Sequence, residues 1–183
     1  FIYVNNKLIG DISNPIQGWF GHEKPFDFSE NYKPYNGIKK FEAGTPSVIS
    51  LSAIEKGIDM TLEAGIKNIS SKSKNLGDFL INLIKTELEV LGFEITSPLN
   101  SRNRGSHVSI KHKEAWRICK LLIKGKVNRK IIIPDFRPNN TIRLGLAPLY
   151  VSYMDLFESI ERIKEIVNNK EFLSIDNSKE SVT

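Results

Sequence analysis

Apolar residues recur every three to four positions from Ile66 to Leu91, the longest regular pattern in the chain. A stripe with that period predicts one long amphipathic helix, and Gly92 follows it as a typical helix-ending glycine. A second helical pattern, running from Ile49 to Gly65, precedes the long one. Together the two patterns predict a helical middle of the chain.

The residues before these helices follow no helical period. Residues 1–4 form an apolar, β-prone run that predicts a buried strand, and Asn5-Asn6 predicts a turn after it. Residues 10–37 mix prolines, glycines and aromatic residues, which predicts a long packed loop of the kind that often carries function. Because the chain starts without methionine inside an apolar run, we expect further chain upstream that supplies neighbours for this strand.

After Gly92, short strand-like and helical patterns alternate. Strands are predicted at residues 93–96, 107–110, 131–133 and 142–146, and helices at about 113–124 and 154–167. The order β, β, α, β, β, α predicts an α/β sandwich, a small sheet with helices packed against it. The polar tail from Asp176 is predicted to be disordered.

These patterns predict an α/β protein in which the end of a large domain is joined to a small C-terminal domain. The predicted parts are residues 1–65 as the end of the large domain, 66–92 as a connecting helix, 93–170 as the small α/β domain and 171–183 as the tail.

Composition and charge exclude several classes of protein. A hydrophobic content of 40% and a charged content of 26% are globular values. No apolar run reaches the roughly 20 residues needed to cross a bilayer, so no membrane partner is expected, and no secretory signal is evident. The net charge of +5 is spread along the chain without a nucleic-acid-binding motif. We therefore expect a solvated basic surface, or attraction for an anionic substrate, and not a nucleic-acid partner.

The single cysteine, Cys119, lies within a predicted helical stripe. It is interpreted as a small buried hydrophobe in a reducing compartment, with a catalytic nucleophile as the alternative. No paired carboxylates, metal-ligand spacing or phosphate-binding glycine loop of a familiar hydrolase is present, so no metal is expected.

The most informative stretch for chemistry is residues 18–22. Gly18 and Gly21 permit sharp turns and close backbone approach, and they bracket the aromatic pair that begins with Trp19. Trp19 supplies a flat face and an N–H donor, and His22 supplies a titratable ring. The stretch suits a flat anionic ligand. The alternative is a loop whose aromatic residues fill the core.

Three other positions are candidates for a functional role. Gly44-Thr45-Pro46 stands just ahead of a predicted helix, where backbone donors and a hydroxyl can bind an anion; the alternative is Thr45 as a simple N-cap. Arg143 lies on an apolar strand, where burial requires a carboxylate or phosphate acceptor; the alternative is an arginine open to water. His107 opens another strand and is interpreted as a core histidine, with a catalytic role as the alternative.

In this order, the motifs of the chain resemble those of kynureninases. The motifs are Gly18-Trp19-Phe20-Gly21-His22, Gly37-Ile38, Phe41, Gly44-Thr45-Pro46, Arg104-Gly105-Ser106-His107-Val108, Asp135-Phe136-Arg137, Ile142-Arg143-Leu144-Gly145 and Pro148-Leu149-Tyr150. The resemblance extends from about residue 2 to residue 167. The Gly44-Thr45 pair is similar to that of the bacterial enzymes, which implies a preference for kynurenine over its 3-hydroxy form.

The resemblance implies a fold, a cofactor and a reaction. Kynureninases are cytoplasmic homodimers of the aminotransferase-like fold (type I) that use pyridoxal 5'-phosphate. They hydrolyse the Cβ–Cγ bond of L-kynurenine to anthranilate and L-alanine, a step of tryptophan catabolism. The cofactor acts as electron sink, while the protein binds and orients the substrate.

The resemblance also implies roles for particular residues. Trp19 and Thr45 would contact the phosphate of the cofactor that is bound to the partner subunit. His22 would approach the aromatic ring or carbonyl of the substrate, Gly44 would lie beside the substrate, and Arg143 would hold its α-carboxylate. The Schiff-base lysine of the family is expected upstream of this chain, which by itself is therefore expected to be inactive.

Two alternatives remain open from the sequence. One is another type I pyridoxal phosphate enzyme, such as a relative of cysteine desulfurases or aminotransferases. The other is a non-catalytic truncated module for binding or oligomerisation. A lysine shortly upstream of the chain would favour the enzyme.

Overall fold

The computed structural model describes residues 1–125, 127 and 131–176. The chain divides into two compact units, Phe1–Met60 and Thr61–Thr183. Of the tail predicted at residues 171–183, the described part contains a 3₁₀ turn (Glu171–Ser174), and Phe172 and Ile175 pack against the core. The disorder predicted for residues 171–175 is therefore wrong, and the tail from residue 177 onward lies outside the described residues. Within the described ranges, no helix is both long and apolar enough to span a membrane.

The first unit is largely irregular, as predicted for its long loop. It contains a short helix α1 (Asn6–Ile9), two 3₁₀ turns (Trp19–Gly21 and Ile38–Phe41) and most of helix α2 (Val48–Ala64). Helix α2 confirms the predicted helix, and the boundary between the two units falls inside it.

The prediction of a buried strand at residues 1–4 is wrong. Phe1, Ile2 and Tyr3 are exposed, and no described segment pairs with them. Asn5 does not start a turn but caps α1, because its side chain accepts a hydrogen bond from the N–H of Lys7 at 3.0 Å. An apolar run forms a strand only where a neighbouring strand accepts its backbone hydrogen bonds, and none does so here.

The predicted long helix of the second unit is confirmed, with a change of period near its end. Helix α3 (Ile66–Leu83) continues as a π-helical turn (Ile84–Leu88) and a 3₁₀ turn (Glu89–Leu91), and Gly92 ends it with a φ of 90°. The fully buried residues along it are spaced four apart: Leu76, Leu80, Ile84 and Leu88. Because four exceeds the 3.6 residues of an α-helical turn, such a stripe drifts around the helix, and the wider π-turn compensates for that drift.

A four-stranded antiparallel sheet forms the other layer of the second unit. Its strands are β1 (Glu94–Ile95), β2 (His107–Lys111), β3 (Asp135–Arg137) and β4 (Thr141–Gly145), in the spatial order β1-β2-β4-β3. Helices α4 (Ala115–Lys124) and α5 (Tyr153–Asn168) complete the predicted β, β, α, β, β, α order. The core joins both layers and includes Val108, Ile110, Ile118, Leu122, Ile142, Leu144, Ile160 and Ile163.

The prediction of a strand at residues 131–133 is wrong, since β3 lies further along the chain. Ile131 and Ile133 are exposed, and the N–H of Ile132 donates to the carbonyl of Leu122 at the end of α4 (3.2 Å). Pro134 has no N–H to donate, so the pairing with β4 begins only after it. The apolar run is therefore a connection from α4 to the sheet.

Arg104 is buried between helix α3 and the loop before β2. Its side chain is 2% exposed, and its guanidinium pairs with Asp78 at 2.5 Å. The same group donates to the carbonyl oxygens of Pro98 (3.1 Å) and Leu99 (3.0 Å). The guanidinium contacts α3 at Gly77, and a side chain at that position would occupy the same space as the guanidinium.

We expect Gly77→Ala to lower the free energy of unfolding by about 1–3 kcal/mol, because the overpacked site must shift. A Cβ at Gly77 would lie 2.7 Å from Nη2 and 2.9 Å from Nε of Arg104, whose hydrogen bonds hold it there. Urea titration of the intact protein followed by circular dichroism measures the change.

Gly57→Ala is the matched control, since Gly57 lies in α2 and a Cβ there meets nothing within 4 Å. There we expect a gain in stability of up to about 1 kcal/mol from helix propensity alone. Equal gains at Gly77 and Gly57 would contradict the packing described for Arg104.

Cys119 is a buried core residue, which confirms its interpretation as a small buried hydrophobe. Its side chain is 2% exposed. Burial first, and then the negative charge of Asp135, raise the pKa of the Cys119 thiol to about 12. Because the thiolate is the nucleophile, burial and the raised pKa both oppose reaction of this thiol in the folded protein.

We therefore expect the Cys119 thiol of the native protein to resist Ellman's reagent at pH 8 and to react fully once urea unfolds the chain. The pKa is raised in the folded state, so the thiol stays protonated throughout the range from pH 7 to pH 9. Mass spectrometry locates the labelled residue. Rapid native labelling of Cys119 would contradict its burial.

Candidate functional site

The loop of residues 18–22 packs directly on the backbone of residues 40–43 in the first unit. A Cβ at Gly21 would lie 2.8 Å from the carbonyl oxygens of Lys40 and Glu42. A Cβ at Gly18 would overlap the carbonyl group of Ala43, which directly precedes Gly44. The two glycines of the loop are thus explained by contact between backbones, which only glycine permits.

A buried lysine links the segment of residues 40–43 to the end of α1. Lys40 is 8% exposed, and its ammonium group donates to the carbonyl of Ile9 at the end of α1. The side chain of Asn14 donates in turn to the carbonyl of Lys40 at 3.2 Å. Sequence reasoning missed Lys40, because nothing in the sequence separates it from its exposed neighbour Lys39.

Trp19 is held in place but remains accessible. Its ring meets Phe20 edge to face at 4.5 Å and Phe26 at 5.6 Å. The residue is 45% exposed and Phe26 is 69% exposed. Within the first unit these aromatic residues do not fill a core, so an indole N–H remains available as a donor.

The His22 ring makes contacts within its own loop. Its Nδ1 accepts a hydrogen bond from the N–H of Lys24 at 3.0 Å, and its Nε2 lies 3.3 Å from the carbonyl oxygen of Asn31. Nδ1 also lies 2.9 Å from the carbonyl oxygen of Lys24, so a carbonyl oxygen faces each nitrogen of the ring. Beside it, the hydroxyl of Tyr32 is buried without a hydrogen-bond partner among the described residues.

Gly44 and Thr45 are exposed and lie close to the start of α2. Ser47, and not Thr45, directly precedes the helix, and its carbonyl accepts the N–H of Leu51 at 2.9 Å. The alternative of Thr45 as the N-cap is therefore wrong. Its hydroxyl stands ahead of a helix N-terminus, where backbone N–H groups lack intrahelical partners.

Arg143 lies in the second unit, on the face of the sheet that points away from the core. It is directly opposite Asp135 of β3 and Ser109 of β2. Its Nη2 pairs with Oδ2 of Asp135, and the same oxygen accepts from Nε (2.9 Å) and Nη2 (2.8 Å) of Arg137. The Arg143 side chain is 38% exposed. The carboxylate of Asp135 accepts a hydrogen bond from Arg143, as the sequence argument required, and more than a third of the arginine side chain stays open to solvent.

The interpretation of His107 as a core residue is wrong, because it is exposed at the start of β2. Side chains alternate along a strand. Since Val108 and Ile110 are fully buried, His107 and Ser109 must point to the opposite face. His107 therefore lies on the same polar face of the sheet as Arg143.

A mostly apolar cleft of about 840 Å³ opens beside the other face of β4. Leu144, Leu146, Tyr150 and the exposed Ile131 and Ile133 line it. Arg143 does not, because it points to the opposite face. Within the described ranges, no group of three or more potential metal ligands comes together.

The structure thus brings part of the sequence-predicted site together. In the first unit, the loop with Trp19 and His22 packs onto the segment that leads into Gly44 and Thr45. Arg143 belongs to the second unit. Sequence reasoning gave no role to Asp135, the partner of Arg143. Side chains two residues apart on a strand share one face, so the opposite charges of Asp135 and Arg137 could have predicted their ion pair.

Comparison with known proteins confirms the resemblance. The family model described as the kynureninase C-terminal domain matches residues 69–163. The chain is 36% identical to a kynureninase of Geobacillus thermodenitrificans over 183 residues, which are 99% of this chain and 41% of that protein. It is 29% identical to a kynureninase of Pseudomonas fluorescens over 170 residues, 93% of this chain and 40% of that protein. The chain therefore spans about two fifths of the length of these relatives.

Solved structures confirm the expected fold. A cysteine desulfurase of Thermococcus onnurineus matches 91% of this chain and 42% of its own with a TM-score of 0.71 and 19% identity. A cysteine desulfurase of Escherichia coli matches with a TM-score of 0.67 and 16% identity. Identities this low establish a shared α/β fold but no shared activity. Since the family model matches more than half of the chain and kynureninases match nearly all of it, the chain belongs to the kynureninase family.

Proposed function

We propose that this chain is the C-terminal portion of a pyridoxal phosphate-dependent hydrolase that cleaves the Cβ–Cγ bond of L-kynurenine to anthranilate and L-alanine. The observation that carries the proposal is the packing of the Trp19 loop on the segment before Gly44 and Thr45, which leaves donor groups of both exposed. The kynureninases that match 99% of the chain support it. The parent enzyme would be cytoplasmic.

The donor set of the first unit fits a phosphate group. Trp19 offers an accessible indole N–H, and Thr45 offers an exposed hydroxyl ahead of the N-terminus of α2. Helix N-termini favour anions because their first N–H groups lack intrahelical acceptors. The bound cofactor would supply an electron sink for the bond cleavage. The Schiff-base lysine would come from chain upstream of residue 1, and residues 1–65 would complete that large domain.

Three residues would contact the substrate. Arg143 would hold the α-carboxylate through a bidentate pair, the geometry that its planar guanidinium favours. His22 would meet the ring or carbonyl of the substrate, and Gly44 would permit its close approach. The contact of His22 Nε2 with the Asn31 carbonyl, at 3.3 Å, is the longest of the three hydrogen-bond contacts of this ring, and is the one a substrate oxygen would replace.

The parent enzyme would act as a homodimer in which Trp19 and Thr45 serve the cofactor of the partner subunit. The exposure of Trp19 agrees with such a role, because an exposed indole can reach a group bound to another subunit. The Gly44-Thr45 pair further favours kynurenine over 3-hydroxykynurenine.

We expect Arg143→Ala in the intact protein to raise the KM for L-kynurenine about 100-fold or more, the range found when one partner of a charge pair is removed. Anthranilate fluorescence follows the reaction, and Arg143→Lys should recover part of the loss. L-cysteine serves as the control substrate, since its desulfuration would favour the alternative activity. Absence of anthranilate release by the wild-type protein with cofactor present would refute the substrate assignment.

We expect Gly18→Ala to weaken retention of pyridoxal phosphate at least about tenfold, because a methyl group at this position overlaps the Ala43 carbonyl and must push the loop off the segment. Absorbance of the cofactor after dialysis measures the loss. Gly10→Ala is the matched control, since a Cβ there meets nothing within 4 Å and the backbone φ of −65° suits alanine. Equal retention by both variants would argue against a phosphate site that depends on this contact.

A further inference from the structure

We propose that Asp135 is a positioning residue that holds the Arg143 guanidinium ready for a substrate carboxylate, with Arg137 neutralising Asp135. This inference rests on the proposed function, in which Arg143 binds the α-carboxylate of an amino acid. It assigns a role to the Asp135-Phe136-Arg137 motif, which that function leaves without one.

The backbone fixes the relation between the three charged groups. Asp135 and Arg143 are directly opposite each other in the β3–β4 ladder, and Arg137 pairs with Thr141 two positions further along. The connecting turn contains Asn139 (φ 63°) and Asn140 (φ 57°), residues that tolerate left-handed backbone at a hairpin. A tight hairpin allows no slip in register, so the pairing of Asp135 with Arg143 is set by the strands themselves.

The charges of the cluster favour one more carboxylate. Oδ2 of Asp135 accepts from both arginines, so two positive groups share a single negative one. The three side chains together carry a net charge of +1. Because all three are between 38% and 53% exposed, an arriving anion can reach them. A substrate carboxylate would balance the remaining charge.

The hydrogen-bond geometry leaves room for that carboxylate. Asp135 engages Nη2 of Arg143. A guanidinium presents two edges on which a carboxylate can bind in bidentate fashion, and Nη2 contributes one N–H to each. Asp135 therefore occupies one edge and leaves the other for the substrate, while it restrains the rotation of a long side chain.

Arg137 explains why Asp135 does not repel the substrate. A lone carboxylate beside Arg143 would oppose a second one through like charge. The two contacts from Arg137, at 2.9 and 2.8 Å, reach the same oxygen of Asp135 that Arg143 contacts and compensate its charge. The pair thus orients Arg143 without cancelling its attraction for an anion.

The test uses the intact, cofactor-loaded protein with Asp135→Ala, Asp135→Asn and the double variant Asp135→Ala/Arg143→Ala. We expect Asp135→Ala to raise the KM for L-kynurenine about tenfold, a typical coupling between contacting residues, with kcat changed less than about twofold. In the Arg143→Ala background the same substitution should add nothing, because Asp135 acts through Arg143.

Two further measurements separate positioning from general damage. Inhibition by kynuramine, the amine that corresponds to kynurenine without its α-carboxylate, should be unchanged in Asp135→Ala. Glu94→Gln is the matched control, since it removes an exposed carboxylate opposite Lys111 on the same sheet and should leave KM unchanged. If Asp135→Ala fails to fold, Asp135→Asn keeps the shape and an acceptor oxygen and should raise KM about threefold.

The outcomes distinguish this inference from the proposed function. An unchanged or lowered KM in the folded Asp135 variants, in an enzyme whose wild type releases anthranilate and whose Arg143→Ala variant is impaired, overturns the positioning role alone. A lowered KM would mean that Asp135 competes with the substrate. A wild type that releases no anthranilate overturns the proposed function and this inference with it.

Discussion

The alternation of side chains along the strands is the constraint on which the second unit depends. Because Val108, Ile110, Ile142 and Leu144 all point to one face, that face must be covered by helices α3, α4 and α5. The same alternation sends Arg143 to the opposite face, where it meets charged neighbours and solvent. Core and candidate binding face are therefore two consequences of one pattern, and neither can change register without the other.

The first unit lacks such a period and is ordered by contacts of its backbone. Gly18 and Gly21 lie against the carbonyl groups of residues 40–43, and Lys40 ties the same segment to the end of α1. Each of these contacts depends on one residue type at one position. A loop built in this way tolerates little change at its glycines, whereas the apolar face of the sheet tolerates exchanges that conserve volume.

What the sequence could predict follows from the same distinction. Periodic patterns predicted α2, α3, α4, α5 and β4 because apolar burial determines those elements. The two strand predictions that failed depend on tertiary contacts. Residues 1–4 have no partner strand among the described residues, and the pairing of β3 with β4 begins only after Pro134. His107 was assigned to the wrong face because it is the first residue of a short strand, where the alternation of apolar and polar residues is too brief to indicate its face. Lys40 was missed because its partner, Ile9, is distant along the chain. Asp135 was missed because its partner, Arg143, was assigned to the substrate carboxylate.

In the proposed role of Asp135, its pairing with Arg143 prepares a binding group before any ligand arrives. An arginine on a strand has a fixed Cα but a long side chain, so its backbone alone does not define where the guanidinium lies. A carboxylate on the adjacent strand fixes the position of the guanidinium, because the hairpin holds both Cα atoms in register. Sharing one carboxylate between two arginines then retains a net positive charge at the surface. Sites on strands gain precision in this way, because the supporting groups come from the same rigid ladder as the group they support.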